Sequence, residues 1–80
     1  MRLDRLPLRE SALITAVDWD SLSAEVVQRL RDSGIVEGET VEATHCAAFA
    51  GDPIACTIGG KTYAIRRDHA AAVEVEQLAR

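Results

Sequence analysis

Gly34 and Gly38 punctuate the run Arg29-Leu30-Arg31-Asp32-Ser33-Gly34-Ile35-Val36-Glu37-Gly38-Glu39-Thr40-Val41-Glu42-Ala43, where a helical pattern gives way to a strand pattern. Before them, Leu22, Val26, Val27 and Leu30 make one apolar stripe on a helix predicted over 22–33, with Glu25, Gln28, Arg29, Arg31 and Asp32 on the other side. Gly34 stands where a helix needs a left-handed residue to close, and Ile35 can fold back on the last turn in a Schellman ending. Val36-Glu37-Gly38-Glu39 has the pattern of a type II turn, with Gly38 where positive φ is required. From Thr40 the period falls to two: Val41, Ala43 and His45 share one face, Glu42, Thr44 and Cys46 the other. A helix that stops, turns and becomes a strand in so few residues fixes the topology of a very small domain.

The remaining segments supply more strands. The apolar, β-branched run 12–17 reads as a buried first strand. Asp18-Trp19-Asp20-Ser21 is a turn, with Asp20, Ser21 and Ser23 as candidate helix N-caps. Leu3, Leu6 and Leu8 around Pro7 form an apolar lead-in that lids the core. Ala47-Ala48-Phe49-Ala50 is an apolar connection closed by Gly51-Asp52-Pro53. A strand over 54–58 alternates Ile54, Cys56 and Ile58 against Ala55 and Thr57. Gly59-Gly60 then marks a two-residue hairpin, with the return strand over 61–66. A helical turn over 67–72 and a last strand at Val73-Glu74-Val75 complete the chain. Trp19, Phe49 and Tyr63 are the whole aromatic set, so the core must be built from Leu, Ile, Val and Ala. The expectation is a mainly β single domain over residues 1–80: a small barrel of about five strands, closed or nearly so, with one α-helix inserted after the first strand.

Charge narrows the partners. With 13 acidic and 9 basic residues the net charge is −4, which argues against nucleic acid because phosphate contact needs clustered Lys and Arg. Arg66-Arg67 is a basic doublet followed at once by Asp68. The uncharged stretch 45–51 is far too short to span a bilayer, and the charged start of the chain is not a secretory signal. The expected location is the cytoplasm, where a reducing environment disfavours a bridge between Cys46 and Cys56.

Metal chemistry has weak candidates only. His45, Cys46 and Asp52, with Cys56 and His69 further off, offer the imidazole, thiolate and carboxylate donors that suit Zn²⁺ or Fe²⁺. Adjacent His45 and Cys46 point to opposite faces of a regular strand, however. Cys56 shares its face with Ile54 and Ile58 and reads as a small hydrophobe. Strand parity separates the two cysteines unless a bulge intervenes, so neither a cofactor nor a resident metal is expected. No nucleophile, base and orienting group stand in a pattern that implies catalysis, and no phosphate-binding glycine loop is present. No catalytic residue is assigned, and an enzyme is not expected.

Taken in order and spacing, Arg29-Leu30, Gly34-Ile35, Gly38, Val41, Gly51-Asp52-Pro53, Ala64-Ile65-Arg66, Ala70 and Val73-Glu74-Val75 resemble the FeoA family, the small cytosolic components of bacterial ferrous-iron transport systems. With the Leu3-Leu6-Pro7 entry and the first strand, the resemblance covers nearly the whole chain. It departs from the family pattern at Ser33, where an apolar residue is usual, at Glu37, where proline is common, and at Trp19, in a connection usually small and polar. The resemblance implies an SH3-like barrel in which Gly34, Gly38, Gly51, Asp52, Pro53, Gly59 and Gly60 define the backbone. It also implies a regulatory role beside FeoB, a membrane permease with a cytosolic GTPase domain. Such a protein would be peripheral to the inner membrane through that partner. Ala47, Ala48, Phe49 and Ala50 are the candidate contact residues, for the permease or for a second copy of the chain, since a loop normally runs over the surface. The alternatives are a transition-metal sensor using His45, Cys46 or Asp52, and a generic SH3-like interaction module.

Overall fold

The computed structural model describes residues 1–46 and 52–78, the side chains of His45 and Cys46 excepted. In chain order the elements are β1 (Ser11–Val17), α1 (Ala24–Asp32), β2 (Thr40–Cys46), β3 (Ile54–Ile58), β4 (Lys61–Ile65), α2 (Arg67–Ala70) and β5 (Val73–Gln77). The strands form one antiparallel sheet in the order β4-β3-β2-β1-β5, with α1 inserted between β1 and β2 as expected.

The helix is shorter than its sequence pattern. A 3₁₀ turn at Trp19–Ser21 takes up Asp20 and Ser21, so the cap falls to Ser23, whose Oγ accepts the Val26 N–H at 3.3 Å. Leu30 enters the core, while Leu22 and Val26 pack against its edge. The helix closes as a Schellman motif: Ile35 N–H donates to the Leu30 carbonyl at 2.9 Å and Gly34 N–H to that of Arg31 at 3.0 Å. Gly34 has φ +92°, and a Cβ built there would lie 3.0 Å from Ile58 Cγ2. The type II turn follows, with Gly38 at φ +96° and a 3.2 Å hydrogen bond from Glu39 N–H to the Val36 carbonyl. That turn is clamped to β1. Gly38 N–H donates to Ile14 O, and Ile14 N–H donates to Glu39 O, both at 2.9 Å.

Two bulges correct the predicted alternation. In β1 the register against β5 shifts between Ile14 and Ala16. Ala12, Ile14 and Val17 therefore enter the core while Thr15 and Ala16 are exposed, so β1 is half-buried rather than buried throughout. In β2 the shift lies between Ala43 and His45: Ala43 pairs with Cys56, His45 with Ala55 and Cys46 with Ile54. The two-residue period over Thr40–Cys46 is broken there, and the face assignment drawn from an unbroken strand does not carry past Thr44. Cys56 is fully buried, as expected, and Ala55 on β3 is buried as well. Gly59 and Gly60, at φ +60° and +83°, turn β3 into β4 as a two-residue hairpin.

Within the described residues β4 and β5 end the strand order, and the N-terminal segment packs against α2 and β5. The Met1 amino group donates to Val75 O at 3.0 Å and Val75 N–H returns to Met1 O at 2.7 Å, which lengthens the sheet beyond β5. The 3₁₀ turn at Leu3–Arg5 then sends Leu3 and Leu6 into the core. Leu8, read in the sequence as part of the same lid, is half exposed. The Arg67 guanidinium ties α2 to this segment through the Asp4 carbonyl at 3.2 Å. The outcome is a nearly closed, mainly β barrel around Ile14, Ile35, Val41, Cys56, Val73 and Val75.

Candidate functional site

Three surface regions bear side chains with chemistry. The first lies by the N-terminal segment: a cavity of about 270 Å³ is lined by Leu3, Leu6, Pro7, Leu8, Ala43 and Ile54, together with Asp4, Arg5 and Arg67. The predicted contact residues Ala47, Ala48, Phe49 and Ala50, with Gly51, lie outside the described residues. Asp52, a candidate metal ligand and backbone-defining residue, accepts the backbone N–H of Arg67 on Oδ1 at 3.0 Å, and its bond to Pro53 is cis. Its carboxylate therefore serves the first turn of α2. Among the described residues no three His, Cys, Asp or Glu side chains come together as metal ligands. His45 and Cys46 are placed by backbone only, opposite Ala55 and Ile54.

The second region joins Trp19 to Glu37 and Arg31. Trp19 Nε1 donates to Glu37 Oε2 at 3.1 Å, and the Arg31 guanidinium lies over the Trp19 ring, 4.8 Å from its centroid. The Glu37 carboxyl is held below the ordinary glutamate range, mainly by its own backbone N–H. Partial desolvation opposes this, while the Trp19 indole, the Val17 N–H and the Arg31 charge reinforce it. Ser33 donates from Oγ to the Arg29 carbonyl at 2.9 Å and so satisfies the end of α1. Sequence reading singled out Trp19 and Glu37 but not as partners, because they stand 18 positions apart.

The third region was missed entirely. A depression of about 150 Å³ opens between α1, β4 and α2, lined by Arg29, Ser33, Tyr63, Ala64, Arg66 and His69 over a floor of Leu30 and Ile65. It continues along α1 into a wider one of about 490 Å³ lined by Glu25, Gln28, Asp32 and Tyr63 among others. Arg66 is visible in the sequence as half of a basic doublet, but nothing local brings Arg29 of α1 to it.

A five-stranded antiparallel sheet with one main helix, its capping side chains tied to the backbone, belongs to the class of small SH3-like β domains. Residues 1–77 match the FeoA domain family, and the chain belongs to that family. Solved structures agree. The iron(II) transport protein A of Clostridium thermocellum is 35% identical with a TM-score of 0.86, over 98% of this chain but only 46% of that one. The FeoA protein of Chlorobium tepidum is 32% identical with a TM-score of 0.84, over 99% of this chain and 71% of that one. The FeoA of Stenotrophomonas maltophilia, solved with zinc, is 33% identical with a TM-score of 0.77, over 95% of this chain and 89% of that one. It is described as a prokaryotic SH3 domain protein and a candidate activating factor of bacterial ferrous iron transport. No curated protein matches.

Proposed function

We propose that this chain is a non-enzymatic cytosolic accessory protein of bacterial ferrous-iron uptake, acting by contact with a FeoB-type permease that carries a cytosolic GTPase domain. The family match across residues 1–77 carries the reading, with a neighbour named for iron(II) transport at 35% identity in support. Among the described residues no helix is long and apolar enough to cross a membrane, which agrees with reaching the membrane through a partner. The mechanism is population shift: the module binds one conformation of the GTPase–permease assembly better than another and moves the equilibrium by that difference. Phe49 with Ala47, Ala48 and Ala50 is the apolar contact, toward the permease or a second copy of the chain. Capture of the permease from native membranes, with and without guanine nucleotide, tests it. Retention by the intact chain and loss by a folded Phe49→Asp variant is the expected result. Capture unaffected by that change removes the loop from the interface.

A second reading, a transition-metal sensor, draws on the zinc in the Stenotrophomonas maltophilia protein. It requires tight one-to-one binding of Fe²⁺ or Zn²⁺ under reducing conditions that is lost in His45→Ala. Binding unchanged by that substitution, or absent, rejects it.

A further inference from the structure

We propose that the depression between α1, β4 and α2 receives an extended segment of a partner protein, which adds to the sheet along β4 and seats one carboxylate among Arg29, Arg66 and His69. This specifies how a partner is gripped and rests on the contact reading above, though it uses a different face from the Ala47–Ala50 segment.

The backbone supplies the first half of the argument. Within the described residues β4 pairs with β3 alone. In a two-residue hairpin the pair flanking the turn, here Ile58 and Lys61, exchanges both hydrogen bonds, and every second pair repeats this: Cys56 with Tyr63, Ile54 with Ile65. Thr62 and Ala64 therefore turn their N–H and C=O groups to the outer side, and both side chains are exposed. A short edge whose only charge is Lys61 is a template for strand addition, the mode in which main-chain bonds give affinity and side-chain pockets give choice.

Charge supplies the second half. In a chain of net charge −4, the smaller depression collects two guanidiniums and an imidazole from α1, the β4–α2 junction and α2, with no carboxylate among its lining residues. Tyr63 and Ser33 add hydroxyls. Arg66 Nε stands 3.6 Å from Asp68 Oδ1, but that pair is exposed and weak, and a guanidinium has further N–H groups to give. The wider depression beyond shares Arg29 but adds two carboxylates, Glu25, which is exposed, and Asp32, bonded to Gln28 Nε2 at 2.8 Å. The occupant is thereby specified: an extended segment with its acid at the α2 end and a neutral or basic residue toward the start of α1.

The test is an NMR titration of the ¹⁵N-labelled full chain with an eight-residue peptide of alternating Val and Thr carrying one central Glu, and its Gln and Lys analogues. The Glu peptide should shift the amides of Thr62, Ala64 and His69 and bind about tenfold more tightly than the Gln peptide, as one added charged contact allows. The double variant Arg29→Gln/Arg66→Gln should lose about the same factor. Both side chains are exposed, so its spectrum should otherwise keep the folded pattern. Equal affinity for the Glu and Gln peptides, shifts that avoid β4, or occupation of the same residues by inorganic phosphate without strand addition would each overturn the proposal. Undiminished capture of the permease by the double variant also overturns it while sparing the contact reading. Peptide binding with no permease capture upholds the site and removes the permease from the proposed function.

Discussion

Gly34 and Gly38 share a positive φ but not a neighbourhood. A Cβ at Gly38 meets nothing within 4 Å, so Gly38→Ala bears only the left-handed strain, about 1 kcal/mol. At Gly34 the same strain is joined by a 3.0 Å contact with the Cγ2 of Ile58, a residue 5% exposed that cannot swing into solvent. Overpacking of that kind adds about 1–3 kcal/mol, so Gly34→Ala should be the more damaging change by roughly that margin in urea unfolding. In an Ile58→Ala background the offending methyl is gone, and the two glycine changes should then cost about the same. Equal cost in the unmodified chain would show that Ile58 yields and that Gly34 is required for its dihedral alone.

At the scale of elements, what the sequence makes legible is what neighbouring residues decide among themselves. The Schellman ending, the type II turn and the Gly59-Gly60 hairpin each use residues within six positions, and all three stand where their residues predict them. The bulges at Thr15 and Thr44 were not legible, because a bulge is set by the partner strand's register, and Thr44 is fixed through Oγ1 to the Ala55 carbonyl, 3.0 Å away across the sheet. Asp52 stood in the sequence as a weak metal candidate and a backbone-defining residue, and its bond to the first turn of α2 was not legible because Arg67 lies 15 positions away. The turn at Glu37 is held across the fold, by a side-chain tether to Trp19, 18 positions away. Its acid dependence follows. Glu37 has a depressed pKa in the fold, so the tether's contribution is fully present above the ordinary glutamate range and is lost as the pH falls through the lower folded value. The Trp19 indole N–H resonance should therefore move on the acid side of the usual glutamate midpoint. Glu37→Gln should abolish that movement, whereas an unchanged titration would assign it to another carboxyl.

At the scale of the whole molecule, the barrel depends on a segment that carries no regular strand or α-helix. β5 would present a bare edge were it not for Met1 and Arg2, and Leu3 and Leu6 of the same segment join the core while the segment packs against α2 and β5. Leu3 is 1% exposed although it lies three residues from the start of the chain. Termini usually fray unless packing holds them, and here the packing is with the core itself. Leu3→Ala removes a fully buried leucine and should cost about 2–5 kcal/mol, a large part of what a domain of this size possesses. Leu8→Ala, at a half-exposed position on the same segment, should cost a small fraction of that. If the segment is part of the cooperative fold, Leu3→Ala lowers the thermal midpoint as one transition and weakens hydrogen-exchange protection at Val75, whose N–H bonds to Met1 O, and in the central strands β1 and β2 alike. Loss of protection at Val75 alone, with β1 and β2 unchanged, would mean that the five strands hold one another without the segment and that it is a lid laid over a finished barrel.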